Sequence, residues 1–129
     1  MKNIRVNFAH VCDMAFLSQG GKVNIIGIFK RIFGKNFPAN HPRFSIIVSL
    51  TAEDAIGSHT ENIKIIREDD KKEIIPELNV NFKVNEKIQD LNFIGDIINA
   101  KFEKPGKYLI KIIFDNEEIH SIPLDLVKS

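Results

Sequence analysis

The run Leu78-Asn79-Val80-Asn81-Phe82-Lys83-Val84-Asn85 decides the fold. Its apolar and polar residues alternate without a fault. A period of two belongs to a strand with one buried face and one wet face. A helix would place its apolar residues three and four apart. Residues 78–85 therefore read as a strand with Leu78, Val80, Phe82 and Val84 facing inward.

The same pattern recurs on both sides of this run. Toward the C-terminus, residues 90–98 form a less regular strand containing Gly95. Pro105-Gly106 is a turn. Tyr108, Ile110, Ile112 and Phe114 then face in against Lys107, Lys111 and Asp115. Asp115-Asn116-Glu117-Glu118 closes a hairpin onto residues 119–127, where Ile122, Leu124 and Leu126 share a face. Toward the N-terminus, Glu68-Asp69-Asp70-Lys71-Lys72 is a solvated turn after a strand near 59–67, marked by Ile63 and Ile65. Gly57 interrupts the chain before it. Residues 43–52 place Phe44, Ile46, Val48 and Leu50 inward, with Ser45, Ser49 and Thr51 outward. Residues 34–42 read as a loop holding Pro38 and Pro42. Residues 22–33 read as one strand, apolar on both parities, preceded by the turn Gln19-Gly20-Gly21. In residues 4–16, Ile4, Val6, Phe8, Cys12, Met14 and Phe16 share one parity.

These segments amount to about eight strands at the spacing typical of all-β domains. The connections are too short for crossover helices, so most strands should pair antiparallel. Each sheet needs a partner for its apolar face. The expected fold is all-β, a two-sheet antiparallel β-sandwich, immunoglobulin-like in general architecture, with a small closed barrel as the alternative. One domain over residues 1–129 is expected, since a chain of 129 residues can bury a sufficient core without metal or disulfide.

Several stretches are similar to a known family. They are Gly21-Lys22-Val23-Asn24-Ile25-Ile26-Gly27-Ile28-Phe29, Asp13-x-Ala15, Phe37-Pro38-Ala39-x-His41-Pro42, Gly57-x-His59, Pro105-Gly106-Lys107-Tyr108 and Ile122-Pro123-Leu124. Taken in order they span nearly the whole chain. The chain resembles an uncharacterised family of small bacterial and phage proteins, a domain of unknown function. The resemblance implies a compact all-β domain and carries over no catalytic residue. It departs at Lys30, where the family pattern is acidic, and at Lys71, where it has glycine.

Composition excludes several classes of function. Hydrophobic residues are 43% and charged residues 27%, an ordinary globular balance. Lys+Arg is 18 and Asp+Glu is 17, for a net charge of +1, which argues against a strongly cationic nucleic-acid binder. Lys101, Lys104, Lys107 and Lys111, with Phe102 and Tyr108, come nearest to a basic groove with stacking platforms. No run approaches the ~20 apolar residues needed to cross a bilayer. Met1-Lys2-Asn3-Ile4-Arg5 could open a signal peptide, but Asn7, His10 and Asp13 interrupt the following stretch. With one cysteine, Cys12, the chain has no internal disulfide, and a cytoplasmic location is expected.

His10 and Cys12 lie two apart and point the same way along a strand, as zinc ligands or a nucleophile and its base would. His59 and His120 are the further ligands that could converge on them. Cys12 sits in an apolar row and reads better as a small core residue, so no catalytic, cofactor or metal residue is assigned. Gly20-Gly21-Lys22 lacks the spacing of a phosphate loop. The candidate interaction surface is Phe33, Phe37, Pro38 and His41, because a proline-stiffened loop loses little entropy on binding. Burial of Phe37 against the end of the sandwich is the plainer reading of that residue. Residues 23–33 have more apolar side chains than one face can bury, even with a bulge at Gly27. That excess leads to the expectation of a homodimer. The function expected is a non-enzymatic binding or protein-interaction module with an unknown protein partner. The alternative is a structural or assembly component of phage origin that acts by oligomerising.

Overall fold

Nine strands carry the alternation read from the sequence: β1 (Ile4–Ser18), β2 (Lys22–Ile28), β3 (Arg31–Gly34), β4 (Ala39–Glu53), β5 (Gly57–Arg67), β6 (Leu78–Val84), β7 (Ile88–Phe102), β8 (Gly106–Phe114) and β9 (Glu117–Lys128). The computed structural model describes residues 3–129. Met1 and Lys2, which open the stretch weighed as a leader, lie outside the described residues. Sheet A has the order β2-β1-β4-β7 and sheet B the order β3-β9-β8-β5-β6. The fold is all-β with two sheets, and no helix occurs among the described residues. Nine strands replace the expected eight or so, and sheet B curls into a half-barrel, which departs from an immunoglobulin-like sandwich.

The added strand comes from residues 22–33. They are two strands in different sheets: β2 pairs antiparallel with β1, while β3 pairs parallel with β9. This crossing explains the apolar residues on both parities. Val23 and Ile25 pack on one side of sheet A, and Ile32 belongs to the main core. The expected loop 34–42 shrinks to residues 35–38, because β4 already begins at Ala39 and includes His41 and Pro42. The strand expected at 90–98 extends to Ile88–Phe102, paired along its length with β4.

The core between the sheets contains Phe44, Ile46, Val48 and Leu50 of β4 and Tyr108, Ile110, Ile112 and Phe114 of β8, all fully buried as their parity predicts. Two inward residues are incompletely covered at the edge of sheet B. Val80 is 39% exposed because β6 is an edge strand, and Phe82 is only half-buried. In β1 the single inward parity is broken by a register shift between Val6 and Phe8. Beyond it, Ala9 and Val11 take the core side, while Phe8 and Cys12 turn to the other side of sheet A. There Cys12, Ala15 and Ile47 form a second buried cluster under Phe8, Val23, Ile25 and Ile94. This cover also buries Ser45, Ser49 and Thr51, which the alternation had placed in solvent. Ser45 donates to Asp96 at 2.6 Å and Thr51 to Asp90 at 2.9 Å, so neither burial leaves a hydroxyl unpaired.

Two turns show their chemistry directly. Asp115 and Asn116 both have positive φ (48° and 68°), as a two-residue hairpin loop matching the strand twist requires. Lys71 has φ 60°, a conformation that costs a residue with a Cβ roughly 1–2 kcal/mol. A glycine at this turn would take that conformation without the cost.

Candidate functional site

The crossover from sheet A to sheet B builds a pocket. β2 ends at Ile28, Phe29 and Lys30 cross, and β3 starts at Arg31. Gly27 has φ 71°, and a Cβ on it would collide with the Asp13 carboxylate. Glycine thus lets Asp13 lie across the strand. The side occupied by apolar residues changes here: Val23 and Ile25 pack with the Cys12 cluster, whereas Phe29 packs with the main core. The resulting cavity of about 400 Å³ is lined by Asp13, Phe29, Arg31, Phe33 and His41 among others. His41 packs against Phe29 and Phe44, with ring centroids 6.0 and 5.6 Å away. Burial pushes its pKa down, and the Asp13 charge only partly opposes that. The imidazole is therefore neutral at pH 7. A neutral ring, an acid, a base and exposed apolar residues suit recognition of a mixed surface.

The expected interaction residues divide. Phe33 and His41 come together in this pocket, with Phe33 64% exposed. Phe37 does not join them. It is half-buried and packs against the main core, as the plainer reading had it. Pro38 is exposed in the short connection to β4, and the Phe37-Pro38 peptide is cis.

A larger apolar surface adjoins the pocket on the β1–β2 hairpin. Beyond Cys12, β1 has no pairing with β4, while β4 and β7 stay paired on to Ala39 and Phe102, so the hairpin parts from the rest of sheet A there. Met14, Phe16, Leu17, Ile26 and Ile28 all lie on it and are exposed, Leu17, Ile26 and Ile28 by half or more. β2 is also the outer strand of its sheet, with no neighbour on its far side.

The histidines do not converge as a metal set. His10 and His120 line one cavity of about 340 Å³ together with Lys30. His10 stacks on Phe8, and His120 is exposed rather than inward. Cys12 faces the second cluster, where its thiol approaches the Ser45 carbonyl at 3.7 Å and burial raises its pKa. A buried, protonated thiol is a poor nucleophile and a poor ligand. No group of three or more metal-ligating side chains occurs among the described residues. His59 lies elsewhere, with Nδ1 2.5 Å from Asp115 Oδ2 and Nε2 2.5 Å from the Ala55 carbonyl. Burial works to lower its pKa, but the bonds to Asp115 and Ala55 outweigh that and raise it. Both neighbours accept hydrogen bonds, so the ring needs both N–H groups to satisfy them. It has no free nitrogen for base catalysis.

The lysines near Phe102 and Tyr108 do not form a stacking groove. Both rings are fully buried, 5.1 Å apart and edge to face, and Tyr108 donates to the Lys104 carbonyl at 2.7 Å. Lys104 pairs with Asp69 at 2.9 Å and Lys111 with Glu118 at 3.0 Å. In the acidic turn, Asp70 takes Arg67 in a two-point bond (3.0 and 2.5 Å), which holds its carboxyl well below the usual range.

Sequence reasoning missed Glu61. Its side chain is 1% exposed, and neither carboxylate oxygen has a hydrogen-bond partner. Burial pushes its pKa up to about 7. Leaving a charged carboxylate in such a place costs on the order of several kcal/mol. The signal was available in the parity of β5, where Glu61 shares the inward register of Ile63 and Ile65.

Similarity to known proteins bears on the fold and the family. A solved structure of the Pseudomonas fluorescens alkylpurine DNA glycosylase AlkC, bound to DNA containing an abasic site analog, superposes with a TM-score of 0.55 at 9% identity. The match covers 97% of this chain and 30% of that one, and at this identity it shows the fold alone. No curated protein sequence matches the chain. Residues 7–127 match the profile of a family of unknown function, DUF6941. The chain, over nearly its whole length, therefore belongs to the DUF6941 family.

Proposed function

We propose that this domain is a non-enzymatic protein-interaction module that works by self-association through the β1–β2 hairpin. One observation carries the reading: five large exposed apolar side chains gather on one hairpin beside Phe33. Met14, Phe16 and Ile26 share one face of the hairpin, and exposed apolar surface of this kind marks interaction sites. A second copy is the occupant that fits the edge. In β2, Lys22 is the sole charged residue of Lys22–Ile28, so the strand lacks the charges that normally protect an edge. Two β2 strands meeting antiparallel about a two-fold axis would continue sheet A across both copies, with Ile25 near its own counterpart. The crossover pocket then flanks the contact. The paired lysines argue against DNA as the partner, although DNA is bound in the structurally similar glycosylase.

Light scattering coupled to size exclusion tests this reading. The wild type should elute as a dimer at high micromolar concentration. Ile26→Lys places a charge on the exposed edge and should give a folded monomer that melts where dilute, dissociated wild type does. A wild-type monomer at that concentration, or an Ile26→Lys variant that stays dimeric, overturns the reading.

A further inference from the structure

On the side away from the hairpin, the free edges of the two sheets enclose a slot of about 210 Å³. β6 and β7 are each outermost in their sheets, so no further strand closes this side. Sheet B contributes Glu61, Ile63, Leu78 and Val80, and β7 contributes Asn92, Phe93, Ile94 and Gly95. Gly95 makes the room. A Cβ there would sit 3.4 Å from Leu78 Cδ1, and any longer side chain would enter the slot.

Into these largely apolar walls the fold sets Glu61, whose carboxylate is the buried one without a partner among the described residues. Val80 and Phe114 flank Glu61 on the neighbouring strands, and His59 and Ile63 lie two positions away on its own. Among these, His59 is the other titratable group, and both its ring nitrogens are already engaged. Among the described residues, no donor of the chain reaches either oxygen of Glu61. Once Glu61 loses its proton, the donor has to come from outside.

We propose that the slot is a binding site for a small organic ammonium ion, whose N–H groups donate to the Glu61 carboxylate while its short alkyl chain lies against Ile63, Leu78, Val80 and Phe93. An ammonium group supplies both the compensating charge and the missing donors. A hard metal cation needs several oxygen ligands, and the slot offers one carboxylate. Pockets for drug-sized ligands start near 300 Å³, so the smaller slot suits a short chain. Glu61 must lose its proton to bind a cation. Affinity should therefore rise as pH climbs through about 7, where an alkylamine is still fully charged.

n-Butylammonium chloride is the probe, followed by calorimetry and by the NMR signal of the Glu61 side-chain carboxyl. Wild type should bind it more tightly at about pH 8 than at about pH 6. The bound cation should lower the pKa of the Glu61 carboxyl. Glu61→Gln, which keeps the shape and removes the charge, should weaken binding by at least about tenfold. Gly95→Val fills the slot and should abolish binding even where Glu61→Gln proves hard to prepare. n-Butanol, the neutral analogue, should bind wild type more weakly than the ammonium. The proposal is overturned if wild type shows no binding, if Glu61→Gln binds as well as wild type, or if n-butanol binds as tightly as n-butylammonium.

Discussion

At the scale of single residues, β5 concentrates the unusual chemistry in His59 and Glu61, two positions apart and both directed inward. Each makes stability fall as pH rises, for different reasons. Burial raises the Glu61 pKa from 4.5 to about 7, so the folded chain keeps a proton that the unfolded chain has lost. The stability tied to that proton is full below 4.5 and disappears as pH rises to about 7. His59 is also raised, by its acceptors. Its contribution is full below the unfolded value of about 6.5 and is lost as pH passes the higher folded value. Glu61→Gln should therefore gain about 2–3 kcal/mol at pH 8 and little at pH 4. Urea unfolding across that range checks it, and the slope left near neutrality in the variant belongs to His59. An equal gain at both pH values would mean that Glu61 is not the titrating group. Parity would have marked Glu61 as an inward residue, but the sequence reading passed over it. Its missing partner was not legible, because donors come from other strands whose register the sequence does not carry.

Among the elements, the strands with one clean parity were the legible ones. In β8 the alternation was enough, since it lies inside its sheet, whereas in β4 it marked the inward residues but not the burial of Ser45, Ser49 and Thr51 on the other face. Edge and crossing strands were not legible in this way. Val80 has the parity of a core residue and is exposed because β6 has a neighbour on one side only. The bulge between Val6 and Phe8 reverses faces without any glycine to announce it. Phe33 and His41 shared a pocket as part of the expected surface, while Phe37 went to the core, because β3 and β4 leave only residues 35–38 between them. Stability should follow these distinctions. Ile112→Ala should cost roughly 2–5 kcal/mol, the range for a deleted core side chain. Val80→Ala should stay within about 1 kcal/mol, since little area is lost to water. Gly27→Ala should cost about 2 kcal/mol or more, from the positive φ and from contact with Asp13. Chemical denaturation of the three variants checks the ranking. A loss at Val80 equal to that at Ile112 would contradict the edge position of β6.

For the whole molecule, protection should grade from the middle of each sheet outward. β4 is paired on both sides and covered on both faces, by the main core and by the Cys12 cluster. β8 is likewise paired on both sides. Their amides should open only with global unfolding, whereas β2, β3 and β6 should exchange through local openings. Native-state hydrogen exchange followed residue by residue tests this, and fast exchange in the second half of β4 would refute the two-faced burial. Self-association would add one feature, slower exchange in β2 at high protein concentration.

The parallel contact between β3 and β9 has a consequence for the order of events on the ribosome. The chain emerges from its N-terminus, so β3 is made long before the strand that it pairs with. β9 sits between β3 and β8 and is the last of the nine to appear. Until it arrives, Ile32 has no strand beside it and β8 has an empty flank. The nascent hairpin and β4 can form sheet A, but the crossover after Ile28 leaves them tied to an unfinished sheet B. Completion of the fold therefore waits for β9, and a chain stalled near residue 116 would present apolar strands to whatever lies nearby.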